Sequence, residues 1–200
     1  MHGRRFAGPR LRPGRALRNM NAPRPTTWNP VARAFHWGIA LLILLQGVVG
    51  WYGHEMERSP AKIEVMTAHK SLGITLLLLA LLRLAWRAGH RPPPPPPDSA
   101  RWEVRAATFT HVLLYVLIIA LPLSGWLAAS TSLVPWKLWW ILPWPDIAPV
   151  SEGLHEFAEE LHEVLVKLLI AVLVVHVGAA LRHHFLKRND VLLRMLRGDR

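Results

Sequence analysis

The sequence predicts an all-α integral membrane protein that folds as a four-transmembrane-helix bundle. Of its 200 residues 52% are hydrophobic and only 18% are charged, which departs from the composition of an average soluble protein. The apolar residues are concentrated in four stretches, each long enough to cross a bilayer as a helix. These predicted spans cover about residues 35–52, 66–86, 108–130 and 161–183.

The segments outside the spans differ in composition from the membrane domain, which we place at residues 28–188. Residues 1–27 are rich in Arg, Pro and Gly and predict a disordered basic tail that lies on anionic membrane lipid, with Met20 as an alternative start of the protein. Residues 189–200 predict a basic cytoplasmic tail. The long outer loop, 131–159, is rich in Trp and Pro and then acidic, and its second half has the pattern of a short interfacial helix.

The formal charge of +11 is explained by membrane topology. Most of the 24 Lys and Arg residues lie before the first span, between the second and third spans, or after the fourth. Because basic loops stay on the cytoplasmic side, both termini are predicted to be cytoplasmic. No nucleic-acid-binding motif accompanies the basic residues, so a nucleic acid is not a predicted partner.

The sequence has no cysteine. Disulfides, thiolate metal sites and covalent attachment of c-type haem are therefore excluded. Any cofactor must be held through His, Met or carboxylate side chains.

Apart from His183, the last residue of the fourth span, five histidines fall inside the spans, where ionisable side chains are costly and mark functional sites by default. Helix direction places His36 and His176 at one depth, in the inner half of the membrane. It places His69 and His162 at a second depth, in the outer half. On the fourth span His162 and His176 are fourteen residues apart, which corresponds to about 21 Å along a helix and about 40° around it. The fifth histidine, His111, has no partner in this pairing.

Two imidazoles at each of two depths are what two six-coordinate b haems require, because each iron takes two axial nitrogens. Small residues make room for such groups, and Gly50 and Gly73 lie at the depth of the outer pair. Cations suited to the haem propionates are Arg33, Arg83 and Arg182 on the inner side and Lys70 on the outer side.

Each of these features also has a structural explanation. An intramembrane His can be a hydrogen-bonded packing residue, and glycines often let helices approach closely. We interpret His111 as a structural or proton-handling residue. His183 and His184 suit interfacial anchoring better than quinone chemistry. A membrane protein that binds or transports metal ions or protons without haem remains a second functional class.

Several segments of the chain resemble the bacterial cytochrome b561 family, and the likeness extends over about residues 28–197. The matching segments are RAFHW at 33–37, AHKSLG at 68–73, THVLLY at 110–115, LHE at 161–163 and LRHHF at 181–185.

The resemblance implies a multi-pass protein of the bacterial inner membrane that holds two non-covalent b haems and exchanges electrons with quinone. It implies that the axial ligands of the haem iron are His36, His69, His162 and His176. Some family members are similar to superoxide oxidases, so superoxide:ubiquinone oxidoreduction is the alternative function. A partner dehydrogenase is a further possible electron donor. The outer loops carry more acids than bases, which disfavours attraction of superoxide. Neither a catalytic residue nor an oligomeric state is predicted.

Overall fold

The computed structural model describes residues 27–197, so nearly all of the predicted N-terminal tail and the last three residues lie outside the described part of the chain. The elements, in chain order, are α1 Pro30–Glu55, α2 Pro60–Gly89, α3 Arg101–Thr131, β1 Lys137–Leu138, β2 Leu142–Pro143, α4 Glu152–Phe185 and α5 Val191–Leu196.

Four of the helices, α1 to α4, are long and apolar enough to cross a membrane, which confirms the predicted four-helix fold. They extend beyond the apolar stretches because polar caps set where they begin. The Asn29 side chain accepts a hydrogen bond from the Ala32 amide at 2.8 Å, and Pro30 opens α1. Ser59 and Ser151 cap α2 and α4 in the same way.

The bundle packs in chain order, with α1 against α2, α2 against α3, and α3 against α4. A small apolar core lies between α2, α3 and α4 and consists of Ala80, Leu117, Ile118, Leu121 and Leu169. Many large apolar side chains on the long helices are exposed, as expected for surfaces that face lipid. The helices α1 and α4 form the two ends of this sequential packing, and the rings of His36 on α1 and His176 on α4 lie close to each other.

One end of the bundle, which we call the Arg-rich end, contains the starts of α1 and α3, the ends of α2 and α4, and α5. Here the Trp37 indole donates a hydrogen bond to the Met195 carbonyl at 3.1 Å, and the Arg194 guanidinium donates to the Pro94 carbonyl at 2.9 Å. The described part of the predicted C-terminal tail thus contains a short helix, α5, that contacts α1 and the run of prolines at 92–97 between α2 and α3.

The opposite end, which we call the hairpin end, contains the antiparallel pair of β1 and β2. Trp139 and Trp140 form the turn with φ of 50° and 62°, a left-handed conformation that is uncommon for bulky residues. Hydrogen bonds to α2 hold this turn: the Trp139 amide donates to Ser71 Oγ at 2.8 Å, and the Trp140 indole donates to the Glu64 carboxylate. The interfacial helix suggested by the sequence is instead the beginning of α4, which runs unbroken from Glu152.

Glu103, in the first turn of α3, connects three parts of the Arg-rich end. Its carboxylate accepts hydrogen bonds from Arg182 Nη1 at 2.9 Å and Lys187 Nζ at 2.6 Å, and from the Ala100 amide at 3.0 Å. Two charged partners on one carboxylate form a network rather than an isolated surface pair. The network joins the start of α3 to the end of α4.

We predict that Glu103→Gln lowers the thermal unfolding temperature of the protein, because the neutral amide loses both ionic partners. The matched control is Glu163→Gln, which breaks only the exposed 2.6 Å pair with Lys167 on α4. Circular dichroism in lipid nanodiscs measures both transitions. Equal shifts in the two variants would contradict a special role for Glu103.

Candidate functional site

The four histidines predicted as two pairs lie together in those pairs. The ring centres of His36 on α1 and His176 on α4 are 6.3 Å apart. Those of His69 on α2 and His162 on α4 are 6.2 Å apart. The single helix α4 therefore contributes one imidazole to each pair, at two levels in the bundle.

These spacings fit two imidazoles that bind one metal from opposite sides. A metal–imidazole nitrogen bond is about 2.0 Å and the nitrogen lies about 1.1 Å from the ring centre, so two trans imidazoles have centres about 6.2 Å apart. Both observed separations agree with this value. The His111 ring centre lies 5.5 Å from that of His176, which is shorter than a linear trans arrangement requires.

His162 is oriented in the way that metal-binding histidines usually are. Its Nδ1 lies 3.1 Å from the Leu121 carbonyl and 3.0 Å from Ser124 Oγ, whose hydroxyl donates to the same carbonyl at 2.8 Å. With acceptors at this nitrogen, the neutral ring carries its proton on Nδ1 and leaves Nε2 free to bind a metal. Ser124 was not predicted as a site residue, because its only signal in the sequence is a polar side chain within an apolar span.

Two glycines fix the position of the histidines near the hairpin end. A Cβ added to Gly50 would lie 2.5 Å from Cε1 and 2.8 Å from Nδ1 of His69. A Cβ added to Gly125 would lie 3.1 Å from Cε1 of His162. The His69 ring thus packs against the backbone of α1 at Gly50, and the His162 ring packs against the backbone of α3 at Gly125. Gly50 makes room for the His69 ring itself.

Gln46, a buried polar residue of α1, contacts His69 and was not singled out from the sequence. Its amide nitrogen donates to the His69 carbonyl at 2.9 Å and lies 3.4 Å from His69 Nε2. Among the described residues, His69 Nδ1 and Gln46 Oε1 are buried without a hydrogen-bond partner. A buried unsatisfied polar atom is costly, so this environment fits a further group bound at the His69 ring. Gly73 lies beside the same amide, since a Cβ added to Gly73 would be 3.3 Å from the Gln46 amide nitrogen.

His36 belongs to a polar network in the half of the bundle nearer the Arg-rich end. Arg83 Nη1 lies 3.2 Å from His36 Nδ1, and Arg83 Nε donates to the Tyr115 hydroxyl at 3.2 Å. Because a guanidinium only donates, His36 Nδ1 accepts in this arrangement and the neutral ring carries its proton on Nε2. Binding of a metal at Nε2 therefore requires Arg83 to release the ring, and the role of Arg83 as a partner of a haem propionate stays a prediction.

The other cations predicted for the site are placed differently. Arg182 pairs with Glu103, and Arg33 is half-buried in the first turn of α1. The Lys70 ammonium lies 5.7 Å from the centre of the Trp136 ring, at the hairpin end. His183 lies 2.9 Å from the Asn189 amide nitrogen, outside both histidine pairs.

The fold and the site together define a four-helix membrane bundle with two separate pairs of inward-facing histidines. The family model of prokaryotic cytochrome b561 matches residues 27–198, and the chain belongs to this family. Members of the family bind b-type haem, and the chain is a multi-pass bacterial membrane protein suited to electron transfer. The resemblance seen in the sequence is therefore confirmed.

Curated relatives align over most of the chain. "Cytochrome b561 homolog 2" of Escherichia coli (strain K12) is 28% identical over 179 residues, which are 86% of this chain and 92% of the relative. "Cytochrome b561 homolog 1" of the same organism is 28% identical over 165 residues, with coverage of 80% and 92%. "Probable superoxide oxidase CybB" of Yersinia pestis is 27% identical over 162 residues, also with coverage of 80% and 92%.

We predict that Gly50→Ala displaces the His69 ring and lowers the haem content of the purified protein, because the added methyl group cannot coexist with the imidazole. The matched control is Gly47→Ala on the same helix, where an added Cβ meets nothing within 4 Å. Alanine favours a helix over glycine by up to about 1 kcal/mol, so helix propensity alone would stabilise both variants. Absorbance spectra and haem-to-protein ratios measure the effect. An unchanged haem-to-protein ratio in both variants would contradict the conclusion that Gly50 makes room for the His69 ring.

Proposed function

We propose that the protein is a di-haem b cytochrome that carries electrons across the bacterial inner membrane to or from the quinone pool, with both termini in the cytoplasm. The observation that supports this most directly is the centre-to-centre spacing of the two histidine pairs, 6.3 and 6.2 Å. Fourteen residues separate His162 from His176, so the two pairs are about 21 Å apart along α4. A path for electrons across the membrane, with one haem site in each half of the bilayer, accounts for this separation.

Each part of the chain then has a defined task. Haem b, when bound, supplies one-electron exchange at its iron. The chain would supply two imidazoles to each iron, and Ser124 and the Leu121 carbonyl would keep the His162 ring in a ligand-competent tautomer. Arg83 would serve the haem held by His36, and Lys70 would lie on the side of the haem held by His69.

We predict that single alanine variants of the ligands sort into two classes. His36→Ala and His176→Ala should deplete one spectral component, and His69→Ala and His162→Ala should deplete the other, because the members of a pair bind the same iron. Low-temperature difference spectra of the reduced protein separate the components. The control is His111→Ala, which should retain both haems because its ring is too close to His176 for trans ligation. Loss of one component in both His36→Ala and His69→Ala would contradict the pairing.

The experiment that tests electron exchange with quinone is stopped-flow mixing of the oxidised protein with a short-chain ubiquinol. Fast reduction of the haems supports the proposed function. The reverse mixing, of dithionite-reduced protein with a short-chain ubiquinone, tests electron transfer to quinone. Absence both of haem reduction by quinol and of haem reoxidation by quinone would contradict the proposed function.

Superoxide:ubiquinone oxidoreduction is a second candidate, which the name of the Yersinia pestis relative favours. In this reaction two superoxide anions become two molecules of dioxygen, and one quinone takes up the two electrons with two protons to form quinol. Lys70, next to His69 in the chain, and Lys137 in β1 both lie at the hairpin end. Cations near the haem of this end would raise the encounter rate with an anion.

We predict that Lys70→Glu combined with Lys137→Glu slows reduction of the haems by superoxide about tenfold at low ionic strength, if superoxide is the donor. Added salt should slow the unmodified protein, since it screens the attraction. The matched control reverses two charges at the Arg-rich end, Arg101→Glu and Arg105→Glu, and should not slow the reaction. Lys137→Glu alone should show a smaller decrease if the double variant loses haem.

Stopped-flow spectra with superoxide and with quinol separate the two candidate functions. Reduction by quinol without any reaction with superoxide would exclude the second candidate and leave a membrane electron carrier.

A further inference from the structure

A cavity at the Arg-rich end lies between the start of α1 and the end of α2. Trp28 and Asn29, in the segment that leads into α1, line one side of it, and the last turns of α2 line the other. The Trp86 indole donates a hydrogen bond to the Asn29 side chain at 3.3 Å and so connects the two sides. The cavity is therefore a built feature of the α1–α2 contact.

The lining of this cavity is strongly cationic. Arg83 and Arg87 are one helical turn apart on α2, and Arg91 follows just beyond the end of that helix. No Asp or Glu is among the described residues that line the cavity. Because the positive charges are not balanced locally, the cavity favours an anion.

Two of these three guanidinium groups are free to bind a ligand. Arg83 already belongs to the polar network described above. Arg87 lies over the faces of Trp28 and Tyr115, at 5.8 and 5.7 Å from the ring centres, and donates no hydrogen bond to another described residue. The exposed Arg91 likewise has no hydrogen-bond partner within residues 27–197. Since stacking on a ring leaves the edge of a guanidinium open, both arginines have donors to offer.

We infer that this cavity binds the phosphate group of an anionic phospholipid, with Arg87 and Arg91 as the donors. Arginine suits a phosphate because its planar guanidinium donates two parallel hydrogen bonds to two phosphate oxygens. The inference goes beyond the proposed function, since the lipid would contact neither histidine pair and would take no part in electron transfer.

The position of the cavity favours a lipid over a soluble phosphate compound. It lies where two spans end, and the indoles of Trp28 and Trp86 line it, as aromatic rings do at the level of the lipid headgroups. Adjoining turns of the same helices expose large apolar side chains such as Val31 and Leu84, which acyl chains can cover. Basic pockets between transmembrane helices bind anionic headgroups in this way.

The charges of the cavity also favour an anionic lipid over a zwitterionic one. The ammonium group of a zwitterionic headgroup needs an acceptor or a carboxylate, and none of the described lining residues supplies a carboxylate. A headgroup such as phosphatidylglycerol brings a negative phosphate without a cation.

A lipid in this cavity would hold the start of α1 against α2. Among the described helices α1 packs extensively only against α2, so few other contacts fix its position. A ligand that binds the folded protein and not the unfolded chain raises stability. We therefore expect phosphatidylglycerol to raise the thermal unfolding temperature of the protein.

The test is native mass spectrometry of the full-length, haem-loaded protein in detergent, titrated with phosphatidylglycerol or with phosphatidylcholine. We expect one phosphatidylglycerol to be retained in preference. Arg87→Gln combined with Arg91→Gln should weaken its affinity about tenfold, which corresponds to about 1.4 kcal/mol. Arg87→Lys combined with Arg91→Lys keeps the charges but not the paired donors, so it should recover part of the affinity.

The matched control is Arg101→Gln combined with Arg105→Gln, which removes the same charge from the same end of the bundle outside the cavity. This control should leave the affinity unchanged. Arg91→Gln alone changes an exposed side chain and should show a smaller decrease, so the test holds even if the double variant fails to fold.

Several results would overturn the inference. They are an unchanged affinity in the Arg87 and Arg91 double variant, an equal decrease in the control, and no preference for phosphatidylglycerol over phosphatidylcholine. Binding of inorganic phosphate without retention of phosphatidylglycerol would assign the cavity to a soluble phosphate compound instead. Loss of haem from the Arg87 and Arg91 double variant, measured by absorbance, would assign these arginines to a haem propionate.

Discussion

The constraint on which the rest of the structure depends is that imidazoles inside a membrane need partners. An unpaired polar ring in hydrocarbon is costly, so a chain that retains such rings must bring them together or give them a bound group. Here α4 provides both fixed points, because His162 and His176 lie fourteen residues apart on nearly the same face. The partners come from α1 and α2, the two helices that do not pack extensively against α4. The histidine pairs thus add a contact from α1 and α2 to α4 beside the packing of α2 against α3, and a haem bound by each pair would strengthen it.

The fourteen-residue spacing recurs in all four long helices and gives each helix one functional residue per membrane half. On α1 the two positions are His36 and Gly50, and on α3 they are His111 and Gly125. In both helices the glycine receives an imidazole of the next helix, His69 or His162. The α1–α2 and α3–α4 hairpins are therefore alike near the hairpin end. They differ near the Arg-rich end. Fourteen residues after its first histidine, α2 has Arg83 where α4 has His176. Because an arginine stands at this position of α2, His111 has no trans partner of its own.

Hydrophobic stretches and histidine spacing were sufficient to predict the four helices and the two depths, because both follow from the regular rise of a helix. The same rule could not show that His111 lies beside His176, since depth alone does not give the rotation of α3 about its axis. Gln46 and Ser124 were missed because single polar residues in a span carry no periodic signal. The tryptophan turn of the hairpin was also beyond sequence reasoning: Trp139 and Trp140 adopt left-handed backbone conformations that usually require Gly or Asn, and contacts with α2 hold them there.

The measurement that tests the central claim most directly is quantification of haem b per folded chain, combined with an equilibrium redox titration of the same sample. Two histidine pairs at separate levels predict two haems per chain and two one-electron components, which need not have equal potentials because Arg83 lies beside one pair and Lys70 beside the other. In fully loaded and folded protein, one haem per chain would contradict the two-site account. A single redox component with the absorbance of one haem equivalent would contradict it as well.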